Sequence, residues 1–180
     1  MRTSILALVV IVLTTSCAAP PPVSKPPSAA LPVLTEKPAP LPTRPAMVQP
    51  TGHWTDWELS PGAWVYRRDE RGSIALYGTP GADALVTLRC DKARALLFLS
   101  RASDIGSTMT VRTSSASKAL AVQLTGGKPA YVASEISLGD PILDAMAFSR
   151  GRIALELSGT LNIAIPVWSE IGRVVEDCRG

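Results

Sequence analysis

Residues 152–178 read RIALELSGTLNIAIPVWSEIGRVVEDC, and they decide the fold class because the apolar period changes within them. Ile153, Leu155 and Leu157 alternate with Ala154 and Glu156, and Leu161, Ile163, Ile165 and Val167 alternate with Asn162 and Ala164. Successive side chains of a strand point to opposite faces, so each run has one apolar face. Gly159 lies between the runs, and together they read as a hairpin. Beyond Trp168 the period lengthens. Ile171, Val174, Val175 and Cys178 fall at i, i+3, i+4 and i+7, which places them on one face of a helix. That stripe is expected to pack on the sheet, turning Cys178 toward the core.

Upstream of this stretch the chain keeps the strand period. Ala63–Val65 with Trp64–Tyr66, then Asp69-Glu70-Arg71-Gly72, then Ile74–Leu76 with Ala75–Tyr77, predicts a hairpin, and Gly78-Thr79-Pro80-Gly81 predicts a turn. Val86, Leu88 and Cys90 share one face against Thr87 and Arg89, so Cys90 also points inward. Leu96 to Leu99 is apolar on both faces and reads as a central strand. Met109, Val111 and Thr113, then Leu120, Val122 and Leu124, then Tyr131 to Ile136 give three further strands. Asp140-Pro141 opens a short helix to about Phe148, with Asp as N-cap and Pro at the first helical position, where a missing N–H costs nothing. The expected class is mainly β: an antiparallel β-sandwich or partly open barrel with one short internal helix and a C-terminal helix. Strand order does not follow from the pattern.

The amino terminus reads as an address. Arg2 supplies a positive region, Ile5 to Leu13 is unbroken aliphatic, and Thr14-Thr15-Ser16 puts small residues before Cys17. The aliphatic run is shorter than the roughly 20 residues a bilayer-spanning helix needs. Leu13-Thr14-Thr15-Ser16-Cys17 resembles the bacterial lipobox, with Thr14 where Leu is commonest. The resemblance implies cleavage after Ser16, so that residues 1–16 are the signal peptide, and acylation of Cys17, with Ala18 favouring the outer membrane over the inner. Several acyl chains make such an anchor stable where one is marginal. With Cys17 consumed, Cys90 and Cys178 remain as an even pair in an exported protein and are expected to form a disulfide. From Ala18 to Pro50 the chain holds eleven of its sixteen prolines. That composition cannot order itself by burial, and it gives a proline-stiffened linker over 17–50 reaching at most about 100 Å, ahead of one domain over 51–180.

The chain has 180 residues and a formal net charge of +3. From Thr51 onward fourteen Lys and Arg stand against fourteen Asp and Glu, so the excess lies in the leader and linker. A neutral domain has no electrostatic footprint for a phosphate backbone, which argues against a nucleic-acid partner. Two distant Cys and one His are too few ligands for a structural metal, and no cofactor motif is present.

Few residues suggest chemistry. The single histidine, His53, sits at the linker boundary, away from the supported pocket that a general base needs. Ser115 and Lys118 have the S-x-x-K spacing of cell-wall serine acyltransferases, yet that motif works from a helix start and has companions missing here. Asp140 and Asp144 share a helix face, where one caps and the other favours the first turn. Gly126-Gly127-Lys128 and Gly78 to Gly81 have glycines without phosphate-loop spacing. Arg150 and Arg152, on a tight connection beside a helix end, suit bidentate recognition of a carboxylate or phosphate, or equally the capping of helix carbonyls and pairing with Glu156 or Asp177. Trp54, Trp57, Trp64, Tyr66 and Tyr77 crowd the first part of the domain and make either a core or an exposed row for sugars or a protein; Trp57 and Trp64 are the candidates there.

Trp64-Val65-Tyr66, Leu88-Arg89-Cys90-Asp91, Phe148-Ser149-Arg150-Gly151-Arg152, Ile165-Pro166-Val167-Trp168-Ser169-Glu170-Ile171 and Glu176-Asp177-Cys178-Arg179 together resemble a group of uncharacterised alphaproteobacterial envelope lipoproteins of sphingomonad type. The likeness covers nearly all of the domain and implies no activity. More distantly, the β-rich body is similar to invasion-associated locus B proteins. The expectation is a lipid-anchored protein facing the periplasm, with a non-enzymatic module that binds an envelope protein or a cell-wall glycan. The alternatives are a cell-wall serine hydrolase or acyltransferase using Ser115 and Lys118, and a purely structural envelope protein.

Overall fold

A computed structural model of the chain describes residues 48–180. The expected signal peptide over 1–16, Cys17 and the expected linker as far as residue 47 lie outside the described residues. Ten strands and two α-helices follow one another: β1 (Ala63–Asp69), β2 (Gly72–Gly78), β3 (Val86–Asp91), β4 (Leu96–Ala102), β5 (Thr108–Arg112), β6 (Ser117–Ala121), β7 (Gln123–Leu124), β8 (Tyr131–Ser137), α1 (Pro141–Ala147), β9 (Arg152–Leu157), β10 (Ile163–Pro166) and α2 (Ser169–Arg179). They build a six-stranded sheet, in the order β1-β2-β3-β4-β8-β7, and a four-stranded sheet, in the order β10-β9-β5-β6. Every strand pairing is antiparallel.

The alternating residues do what their period requires. Val86, Leu88 and Cys90 of β3 and Leu97 and Leu99 of β4 are fully buried, as are Met109 and Val111 of β5 and Ile153 and Leu155 of β9. These join one core with the α2 stripe of Ile171, Val174, Val175 and Cys178 and with Ile142, Leu143 and Met146 of α1. In α1 the Asp140 carboxylate accepts the Ile142 N–H at 3.1 Å, and Pro141 follows the cap, as the sequence predicts. β4 is central, between β3 and β8.

Cys90 and Cys178 are disulfide-bonded, with Cα atoms 5.4 Å apart, a separation that a bridge spans without moving the backbone. The bond fastens α2 to β3. Gly72 makes room for it: its φ is +143°, and a Cβ there would lie 2.9 Å from the Cys90 carbonyl oxygen and 3.2 Å from its sulfur. A polar clasp holds the same helix to β1. Arg68 donates to Asp177 at 2.7 Å and, through Nε, to the Tyr66 hydroxyl at 2.6 Å; that hydroxyl donates in turn to Asp177. The Arg173 guanidinium lies 4.0 Å above the Tyr66 ring. Burial alone would raise the Asp177 pKa, but the hydrogen bonds from Tyr66 and Arg68 outweigh it and hold the carboxyl below its ordinary range.

One local expectation needs correction, and two burials go beyond what the pattern predicts. The run Leu120-Val122-Leu124 is not one strand: β6 belongs to the four-stranded sheet and β7 to the six-stranded one, with buried Val122 at the crossing and Leu124 exposed. Ala154 and Ala164 face away from the main core yet are buried, because Trp57 lies over them in a small second cluster with Trp54. The inward face of β4 also runs two residues past Leu99 to Arg101, a residue only 3% exposed. It donates to the Leu155 carbonyl at 3.2 Å and to the Leu161 carbonyl, pinning the β9–β10 connection to the opposite sheet. Burial pushes its pKa down to about 10, which leaves it cationic at neutral pH.

Candidate partner-binding surface

The segment from Phe148 to Arg152 joins α1 to β9, and its backbone is fixed from three sides. The Ser114 N–H donates to Ser149 Oγ at 2.9 Å, the Arg150 N–H donates to Ser114 Oγ at 3.0 Å, and the Ser149 hydroxyl donates to the Arg152 carbonyl at 2.7 Å. Ser149 is itself buried, so the β5–β6 turn and this connection form one rigid unit. Gly151 takes φ +77°, and its carbonyl accepts the Val167 N–H at 3.2 Å. That bond sets the start of α2 beside the connection. A Cβ built on Gly172 of α2 would lie 3.8 Å from the Ala147 Cβ, so the end of α1 and the first turn of α2 are close neighbours.

Three large side chains project from this corner. Phe148 at the C-cap of α1 is 80% exposed, Trp168 at the N-cap of α2 is 45% exposed, and Arg150, two residues after Phe148, is exposed. Among the described residues, no hydrogen bond or ion pair engages the Arg150 guanidinium. Two exposed rings and an exposed cation, on neighbouring backbone segments tied by part-buried and exposed hydrogen bonds, give the composition that interface hot spots favour, where aromatic residues and Arg are enriched. They can stack on a flat apolar or sugar surface while the guanidinium takes an anionic or carbonyl group.

The sequence reading found only part of this corner. Arg150 is where it was expected, but Arg152 donates to the Trp57 carbonyl and is committed to the fold. Trp57 and Trp64 are not a binding row: they are 7% and 6% exposed. Trp57 covers Ala154 and Ala164, while the Trp64 indole N–H donates to the Pro166 carbonyl at 2.8 Å and its ring packs on Tyr77 with centroids 5.1 Å apart. Tyr77 is buried with its hydroxyl donating to the Ser60 carbonyl, and Tyr66 belongs to the α2 clasp. Phe148 and Trp168 are not among the binding candidates read from the sequence, although each falls at a helix boundary and off the buried stripe, which is the signal for an unburied ring.

The other candidates have structural occupations. Lys118 pairs with Asp140, and Ser115 lies on an exposed turn ahead of β6, with no hydrogen bond between the two. Asp144 pairs with Arg179 at 2.7 Å, tying α1 to the end of α2. His53 caps the 3-10 turn Trp54–Asp56. Glu156 pairs with Arg112 at 2.6 Å rather than with Arg152. Among the described residues, no three His, Cys, Asp or Glu side chains gather as metal ligands, and no helix is long and apolar enough to cross a membrane. No family model, curated protein or solved structure matches this chain.

Proposed function

We propose that this protein is a lipid-tethered envelope component, anchored through Cys17, whose disulfide-fastened β-sandwich is a non-enzymatic module for binding a protein or glycan partner on the periplasmic side of the outer membrane. The observation that supports the binding role is the exposure of Phe148, Arg150 and Trp168 around one junction of the fold: Phe148 and Arg150 flank a connection that three hydrogen bonds hold, Trp168 opens the helix next to it, and among the described residues nothing pairs with the Arg150 guanidinium. The Cys90–Cys178 bond supports an oxidising compartment, because such bonds form and persist outside the cytoplasm. The lipobox-like segment and the resemblance to envelope lipoproteins point the same way. A serine hydrolase built on Ser115 and Lys118 has no such support, since Lys118 is engaged by Asp140.

The test is capture of envelope components by the full chain in detergent, against Phe148→Ala/Arg150→Ala/Trp168→Ala. Phe148 and Arg150 are exposed, where substitutions cost about 0.5 kcal/mol or less each, and Trp168 is half-covered and costs somewhat more. The triple variant is therefore expected to keep its thermal midpoint within a few degrees and to lose a protein or muropeptide captured by wild type, at least tenfold by quantitative mass spectrometry. Equal recovery by both would remove the corner from the account.

A further inference from the structure

Where β6 leaves one sheet and β7 enters the other, the chain opens a cleft of about 560 Å³ between two strand edges. One wall is β6, the last strand of the four-stranded sheet, and the other is the second half of β8, which continues past its two-residue partner β7. Val122 and Gln123 close one end of the wedge, and the Lys118–Asp140 ion pair bridges the other.

The hydrogen-bond phase of each ladder shows what these edges offer. The Thr113 N–H donates to the Ala116 carbonyl, and the Val122 N–H donates to the Ser107 carbonyl. In an antiparallel ladder, residues bond their partner strand alternately. Residues 116, 118, 120 and 122 therefore turn their main-chain groups to β5, while Ser117, Ala119 and Ala121 turn theirs outward. On β8 the Ser103 N–H donates to the Ala130 carbonyl and the Thr125 N–H to the Tyr131 carbonyl. This gives Tyr131 and Ala133 to β7 and leaves Glu135 and Ser137 facing away from β4 with no strand beside them. Of these outward groups, among the described residues only the Ser137 carbonyl is used, by the Asp140 N–H at 2.9 Å.

We infer that this cleft binds an extended polypeptide segment of a partner protein, which adds as a strand to the free edge of β6 and is backed by β8. Main-chain pairing supplies affinity in such strand addition, and side-chain contacts supply selectivity. The lining residues Ala119, Ala121, Ala133, Ser134 and Ser137 are small, so a second backbone can approach closely. The charges at the rim are already matched, Lys118 with Asp140 and Glu135 with Arg94, so an uncharged segment fits best. The protein's own linker is a poor occupant: residues 18–47 have no proline-free run longer than five residues, and proline cannot donate to a ladder. This inference does not depend on the Phe148 corner.

A phage-displayed random heptapeptide library, panned on the full chain in detergent, tests it. The expected winners are proline-poor, uncharged and rich in β-branched residues. A synthetic winner is expected to slow amide exchange, read by mass spectrometry, in 117–121 and 134–137 of the wild type. Its binding should fall at least tenfold when alternate residues of the peptide are N-methylated. Ala119→Pro removes an outward N–H that β5 does not use, and it should also bind at least tenfold more weakly; the exchange data on wild type decide the matter if that variant misfolds. The Phe148→Ala/Arg150→Ala/Trp168→Ala variant should bind the peptide as wild type does. A library without enrichment, winners that protect other segments, preferred binding of a peptide copying residues 28–40, or a dimer of the chain paired through β6 would each overturn the inference.

Discussion

Replacing Cys90 and Cys178 together by alanine lowers the unfolding free energy of the folded domain by on the order of 4 kcal/mol. The bond closes a loop with a sequence separation of 88, and a constraint of that length on the unfolded chain is worth about 4 to 5 kcal/mol in the chain-entropy account. Its structural consequence is local. Without the bond, α2 is held by its apolar stripe, by the Asp177 clasp and by Arg179, whose Nε donates to the Leu138 carbonyl at 3.1 Å. The helix should then become the first part of the domain to exchange its amides. Urea unfolding of the oxidised chain against the double variant measures the difference, and a loss below about 1 kcal/mol would mean that the clamp is redundant.

Trp64→Ala is the second large effect, expected at about 3 to 5 kcal/mol. A buried Trp takes with it the contacts of its whole ring, and here also the bond to the Pro166 carbonyl that joins β1 to β10 across the two sheets. Both the cavity and the orphaned carbonyl remain. Trp64→Phe should recover part of the loss, because the ring packing against Tyr77 survives while the donor does not. Trp168→Ala is the internal control: it removes a residue of the same type that is 45% exposed and should lower the urea midpoint much less than Trp64→Ala does. Equal midpoints for Trp64→Ala and Trp168→Ala would contradict the placement of Trp64 in the core.

The contrast between these two tryptophans explains how much of the protein its sequence reveals. Period-2 runs gave the strands, Asp140-Pro141 gave the start of α1, and the i, i+3, i+4, i+7 stripe gave the inward Cys178 that meets Cys90, because each depends on neighbours a few residues apart. The burial of Trp57 depends instead on residues more than ninety positions away. It lies over Ala154 and Ala164, and the only trace in the sequence is that the outward positions of β9 and β10 carry alanines where a solvent-facing strand would carry polar side chains. The break at Val122 leaves no trace in the period, since Leu120, Val122 and Leu124 keep their alternation while the chain changes sheets. Arg101 was hidden for another reason. Its parity with Leu97 and Leu99 points inward, but a cation two residues beyond an apolar run reads as the end of the strand, and only the carbonyls of Leu155 and Leu161 make its burial tolerable.

The site was legible to the same degree. Arg150 stood out because a guanidinium on a short connection is chemically conspicuous. Phe148 and Trp168 did not, because nothing local says that a ring at a helix boundary will lack a covering strand. The start of α2, which carries Trp168, is brought beside the 148–152 connection by the Val167–Gly151 hydrogen bond and by the packing of Gly172 near Ala147, both contacts between segments about 15 to 25 residues apart.

The proposed binding role requires the module to be where its partner is, so the account rests on the address proposed for the first seventeen residues. Mass spectrometry of the amino-terminal peptide, released by protease from the chain isolated in the membrane fraction, tests that address most directly. The account predicts a peptide that begins at Cys17 and carries the added mass of a diacylglycerol and an amide-linked acyl chain. A peptide with an unmodified Cys17, or a mature chain starting at any other residue, would contradict it.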